Sequence, residues 1–136
     1  IKPENVLVFS DLNNNNYPVS FKLCDLGLSE CSSIRQSKWS GTRKYMAPEI
    51  LGLTPYYCDK SDMWAVGIFA YFVHFFRIPF DGDQFRDSEF EEIMKRCNKI
   101  QNLFFKDFLL KLLTIDPNKR MTAKQALEHP FLKTFF

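Results

Sequence analysis

Very little in this sequence points to a specialised environment. Its charges nearly cancel: eighteen Lys and Arg against sixteen Asp and Glu leave +2. That balance is too even for a nucleic-acid-binding face or a polybasic membrane anchor. The two histidines, His74 and His129, stand alone, and the four cysteines, Cys24, Cys31, Cys58 and Cys97, form no Cys-x-x-Cys pair. Such scatter argues against a zinc site. Four thiols can pair into two disulfides, but the chain does not look like a small secreted scaffold. Reduced thiols in the cytoplasm, or in the nucleus, are the expectation. No signal peptide is visible, and the first residue is Ile1 rather than Met. There is no internal repeat and no linker. The apolar run Met63 to Phe76 has fourteen residues, too few for the ~20 that a membrane-spanning helix needs.

What is present reads as one globular unit. The 136 residues are 46% hydrophobic and 25% charged, with fifteen Phe among an aromatic content of 16%, so a ring-rich core is expected and disorder is not. Val6-Leu7-Val8-Phe9 is a short apolar run, and Val19-x-Phe21-x-Leu23 alternates with period two; both predict strands. Between them Ser10 to Pro18, with its four consecutive Asn, reads as a polar loop at the tip of an antiparallel hairpin. Cys24 to Lys44 shows no apolar period and reads as a long loop, a kind usually functional or disordered. Pro48-Glu49-Ile50-Leu51 predicts a short helical turn with Pro at its start. Met63 to Phe76 predicts a helix buried on all sides, with Asp59, Ser61 and Asp62 as caps and favourable charges at its start. Ser88–Ile100 and Phe105–Ile115 predict two amphipathic helices. Thr122–Phe131 predicts a last one, with Thr122 as N-cap and Pro130 near its end. The fold class is α+β, mainly α, with strands first and helices after.

Symmetric pairing of the hairpin about its loop sets residue 6 against about 24 and residue 9 against about 21. Asn5 then faces Asp25, and directly opposed residues lie roughly 5 Å apart. An amide oxygen and a carboxylate suit Mg²⁺, which takes few protein ligands and fills the rest with water and phosphate. The ammonium of Lys2, three residues upstream of Asn5, suits a phosphoryl oxygen. Together these are groups for phosphoryl transfer, where positioning and electrostatics carry most of the catalysis. Taken singly each has a plainer role: Asn5 as a strand-end cap, Asp25 as a turn residue before Gly27, Lys2 as a solvated charge.

As a set they resemble the protein kinase family. Lys2-Pro3-Glu4-Asn5 is similar to the second half of the catalytic loop, and Asp25-Leu26-Gly27 to the metal-binding Asp-Phe-Gly motif. Gly41-Thr42-Arg43-Lys44-Tyr45-Met46-Ala47-Pro48-Glu49 resembles the end of an activation segment. Asp62-x-Trp64-x-x-Gly67 resembles the start of the family's central helix. Asp116-Pro117-x-x-Arg120 resembles the turn carrying its late arginine, and His129-Pro130-Phe131 its close. The motifs stand in family order and cover residues 1–136.

The resemblance implies a kinase-like C-terminal lobe with the hairpin at the catalytic cleft and the N-terminal lobe absent from these residues. It implies that Asn5 and Asp25 hold Mg²⁺ against ATP and that Lys2 steadies the transferred phosphoryl group. Thr42 helps to shape the pocket beside the acceptor hydroxyl, Asp62 holds catalytic-loop backbone, and Glu49 and Arg120 form a buried ion pair. Lys2 with Gly41-Thr42 resembles the serine/threonine branch. Within it the calcium/calmodulin-dependent group is the nearest in style, on the last helix region.

Several positions depart from the family pattern. Its general base, the Asp of His-Arg-Asp, would precede Ile1, and the glycine-rich loop and phosphate-gripping lysine belong to the missing lobe. The 136 residues alone are therefore expected to be inactive. Leu26 replaces Phe, a mild change. Lys38 stands where a phosphorylated Thr is frequent, so activation by phosphorylation there is not supported, although Ser37 and Ser40 flank it. Phe72 follows Tyr71 where arginine-directed relatives carry Glu, so Glu4 alone does not support a strong basic preference. The expectation is a serine/threonine kinase in the complete gene product, ATP- and magnesium-dependent, with protein substrates. A pseudokinase or scaffold is the alternative, and the residue before Ile1 separates the two.

Overall fold

Val6–Phe9 (β1) and Ser20–Leu23 (β2) pair antiparallel in the computed structural model of the chain, with Val6 against Leu23 and Phe9 against Ser20. The structure describes residues 1–9, 20–29, 41–52, 59–80 and 85–134. The polar hairpin tip, Val19 and the Lys38 region lie outside them. The register corrects the symmetric pairing by one residue: Asn5 faces Cys24, whose N–H donates to the Asn5 carbonyl at 2.9 Å, and Asp25 lies one step further on. A one-residue slip in a strand exchanges the two faces.

Among the described residues six helices follow: α1 (Pro48–Leu51), α2 (Asp59–Phe75), α3 (Asp87–Cys97), α4 (Leu103–Leu112), α5 (Ala123–Leu127) and α6 (Pro130–Lys133). Pro48 opens α1 at a position whose N–H has no intrahelical partner anyway. Helix α2 is the centre, packed against α4 and against the 3-10 turn at Arg43–Tyr45. It starts at Asp59, four residues before the apolar run, and ends at Phe75. Asp59 and Asp62 lie in its first turn, favourable for the helix dipole. Ser61, the third residue of the helix, donates its hydroxyl to Glu49 at 3.0 Å. The helix is not enclosed all round. Trp64, Ile68 and Tyr71 are buried, whereas Val73 is 56% exposed and Phe76, just past the end, 86%. The covered side is the one that meets α4 and the 3-10 turn.

Trp64 anchors the core. Its ring stacks on Phe80 at 5.9 Å and on Phe90 at 6.2 Å, meets Phe85 edge-on, and carries the Arg120 guanidinium 5.1 Å above it. Offset and edge-on pairs of this kind add about 0.5–1.5 kcal/mol beyond area burial. Helices α2 and α4 approach closely at Gly67, where an added Cβ would come within 2.9 Å of Leu113 and 3.0 Å of Leu112.

The last helix is two. Thr122 caps α5 in a full capping box with Gln125, but α5 stops at Leu127 and α6 begins at Pro130. A residue before proline is pushed out of the helical region, and His129 accordingly has φ −71°, ψ 138°. Its ring compensates: Nδ1 accepts from the Phe131 N–H at 3.2 Å, and Nε2 bonds Asp107 on α4 at 2.9 Å. No described helix is long and apolar enough to cross a membrane.

Candidate active site

Lys2 adopts extended backbone, φ −160° and ψ 158°, and Pro3–Asn5 turns back over it in a single 3-10 turn. Pro3 presets φ for that turn and brings no donor needing a partner. The turn closes through the Asn5 N–H on the Lys2 carbonyl at 3.1 Å, after which β1 begins. Lys2 and Asn5 thus stand on a rigid step at the open end of the hairpin, both partly buried.

Opposite that step β2 runs out at Leu23, and the ladder extends one pair further, to Cys24. Asp25 then turns the chain with a left-handed φ of 58°, a region that Asp and Asn visit more readily than bulkier residues. Its exposed carboxylate lies over the following turn, where a Cβ added at Gly27 would stand 3.5 Å from Oδ1. A Leu26–Ser29 backbone bond of 2.9 Å closes this turn.

The second approach comes from forty residues downstream. Gly41 has φ 114°, open to glycine and strained for other residues. Thr42 then heads the 3-10 turn at Arg43–Tyr45. There its hydroxyl accepts from Lys2 Nζ at 3.3 Å. Two of the four predicted site residues, Lys2 and Thr42, are therefore in contact. Asn5 is paired with Cys24, the residue before Asp25, and no side-chain hydrogen bond joins Asn5 to Asp25 among the described residues.

Tyr45 was not singled out by the sequence, although it lies inside the Gly41–Glu49 motif. It is buried, and burial followed by the nearby Glu4 carboxylate raises its phenol above the usual tyrosine range. Tyr45 belongs to the core cluster that also holds Trp64, Ala65 and Ile68 of α2. Met46, Ala47 and Ile50 continue into the core, and Glu49 on α1 reaches Arg120 at 2.6 Å. The segment carrying Thr42 is pinned at both ends.

The donor set at the open end of the hairpin, one amide oxygen and one carboxylate, suits a hard cation that keeps water and phosphate as its other ligands. No cluster of three or more His, Cys, Asp or Glu is found among the described residues, so an all-protein metal cage does not arise there. Cys24 and Cys97 are free thiols.

Residues 1–132 match the protein kinase domain family. The chain is 35% identical to myosin light chain kinase A of Dictyostelium discoideum, over 98% of this chain and 46% of that protein. It is 33% identical to serine/threonine-protein kinase H1 of Mus musculus, over 97% of this chain and 32% of that protein. A probable myosin light chain kinase of Dictyostelium discoideum is 38% identical, over 98% and 28%. The chain spans less than half the length of these curated relatives. With its kinase motifs in order and the family matched along nearly its whole length, the chain belongs to the protein kinase family, in the eukaryotic serine/threonine type.

Proposed function

We propose that the complete protein transfers the γ-phosphoryl group of ATP to Ser or Thr hydroxyls of protein substrates, and that residues 1–136 are the C-terminal-lobe part of its catalytic domain. The observation that carries this reading is the bond between Lys2 and Thr42. It joins the catalytic-loop end to the activation-segment end, the two pieces that must meet around an acceptor hydroxyl.

In this reading the acceptor oxygen attacks the γ-phosphorus, the bond to the β–γ bridging oxygen breaks, and ADP leaves with that electron pair. Lys2 offsets charge on the transferred group and stays aligned through Thr42. Asn5 and Asp25 would hold Mg²⁺, which when bound neutralises phosphate charge. The hydroxyl proton goes to a general base, the family's Asp, which in this register precedes Ile1. Activity is accordingly proposed for the protein that carries that Asp and the N-terminal lobe, not for the 136 residues alone.

The test is Asp25→Asn in the complete protein, assayed with Mg-ATP and a Ser/Thr-containing protein. Asn tolerates the left-handed backbone that Asp25 adopts, so folding should persist while transfer falls to near background. Wild-type rates in the variant at saturating Mg-ATP would remove Asp25 from the site. A wild-type protein that folds but transfers no phosphoryl group would be a scaffold.

A further inference from the structure

A cavity of about 340 Å³ opens between the C-terminal end of α2 and α3, and it shares no residue with the site above. Its size falls in the range of roughly 300–1,000 Å³ typical of ligand pockets. Tyr71 lines it and is only 1% exposed. The Tyr71 hydroxyl makes no hydrogen bond among the described residues. Tyr71 is thus a buried residue of the cavity wall whose hydroxyl has no acceptor among the described residues. The charged groups acting on it are Arg96, Arg77 and Glu92, together with the Cys97 thiol. Burial, the dominant effect, raises its pKa and keeps it protonated, a donor.

The charges on the wall are unequally committed. Glu92 is paired to Arg96 at 3.2 Å, and Glu89 to Arg86 at 3.3 Å. Arg77 lines the cavity with no ion pair or hydrogen bond among the described residues. Ser88, in the first turn of α3, adds a hydroxyl. The uncommitted groups are thus one guanidinium, one buried phenol and one alcohol. A buried donor without an acceptor is costly, and hydrogen bonds to charged groups are the stronger kind. The complementary occupant brings oxygen acceptors and negative charge. Ile78 and Ile93 complete the wall, and they suit the aliphatic stem of a side chain better than a bare ion.

We propose that this cavity is a docking pocket for an acidic side chain, carboxylate or phosphate, on a segment of a protein partner, bound through Arg77, the Tyr71 hydroxyl and Ser88. The proposal goes beyond phosphoryl transfer and does not depend on it.

The test uses the complete protein and fluorescent peptides identical except at one central residue: phosphoserine, Asp, Ser or Lys. In anisotropy titrations the phosphoserine and Asp peptides should bind about tenfold or more tightly than the Ser and Lys peptides. Arg77→Gln, at an exposed position, should abolish that preference. Tyr71→Phe, which removes only the hydroxyl, should weaken it severalfold, and Lys124→Gln on α5 should leave it intact. Phosphoryl transfer to a generic substrate should be unchanged in Arg77→Gln, which separates this pocket from the active site. Equal binding of the four peptides, or an acidic preference that survives both Arg77→Gln and Tyr71→Phe, overturns the proposal. Arg77-dependent binding of inorganic phosphate without any peptide preference would likewise overturn it, leaving a bare-anion site only.

Discussion

Arg120 grips both carboxylate oxygens of Glu49, at 2.6 and 2.8 Å, across seventy-one residues of sequence. The guanidinium also donates to the carbonyls of Lys60, Thr114 and Ile115, at 2.7, 2.8 and 3.0 Å. Glu49 accepts in addition from Ser61 at 3.0 Å. The arginine is fully buried and the glutamate nearly so, so one cation ties α1, the start of α2 and the turn after α4 together. Removing one member of a buried pair typically costs about 3–5 kcal/mol, because the other charge stays behind in low dielectric. The two losses should be unequal. Glu49→Ala leaves Arg120 three carbonyl acceptors, whereas Arg120→Ala leaves the buried carboxylate only the Ser61 hydroxyl and takes a donor from each of those carbonyls. Urea melts of the complete protein should show Arg120→Ala as the more damaging change, with the double variant less damaged than the sum. Additive losses, or losses under about 0.5 kcal/mol each, would mean that the two residues do not act as partners.

Gly67→Ala sets two effects against each other. Alanine improves helix propensity by about 1 kcal/mol in an exposed helix. Here the new methyl would meet Leu113 at 2.9 Å and the Leu112 Cβ at 3.0 Å, and Leu112 and Leu113 are themselves buried. Overpacking typically costs about 1–3 kcal/mol, so a net loss of stability is expected. A melting temperature equal to or above wild type would show that α4 yields freely.

Phe76 has the opposite relation to its backbone. It follows α2 with φ 53° and is 86% exposed, the helix-end position that glycine usually fills. The left-handed conformation costs a non-glycine residue about 1–2 kcal/mol, and little burial offsets it. Phe76→Gly should therefore raise stability by about 1 kcal/mol. A clear loss would show that the ring has a partner in the complete protein.

Cys97 lies wholly inside, and burial pushes its thiol up from 9.0 to about 11. A folded-state value above the unfolded one contributes stability that is complete below the unfolded pKa and is lost as pH rises through the folded one. Stability should accordingly decline between about pH 9 and 11. At pH 8 the thiol should resist iodoacetamide until urea unfolds the protein, while the partly exposed Cys24 is modified in the native state. Mass spectrometry of the two peptides reads both. Labelling of Cys97 in native protein as fast as Cys24 would contradict its burial.

Local interactions were legible in the sequence, because they are made between residues a few positions apart. Pro48 opening α1, the Thr122 cap of α5, and the approximate spans of α3 and α4 all follow from rules that act within one turn of helix. The motif order identified the family, and with it the partnership of Glu49 and Arg120. Tertiary structure decided what depends on pieces meeting through space. It shifted the hairpin by one residue, so that Asn5 faces Cys24 and not Asp25; periodicity within a strand does not reveal its register against a partner. It set Ser61 against Glu49 and brought Lys2 to Thr42. Tyr45 entered the core against α2, and Tyr71 came to line a cavity between α2 and α3. The break at His129 belongs to both levels: the constraint that Pro130 imposes is local, but the ring bond to Asp107 that stabilises the break exists only once α4 lies alongside. Sequence specifies a residue's backbone preferences and chemistry; where its side chain finds a partner depends on which distant segment the core brings against it.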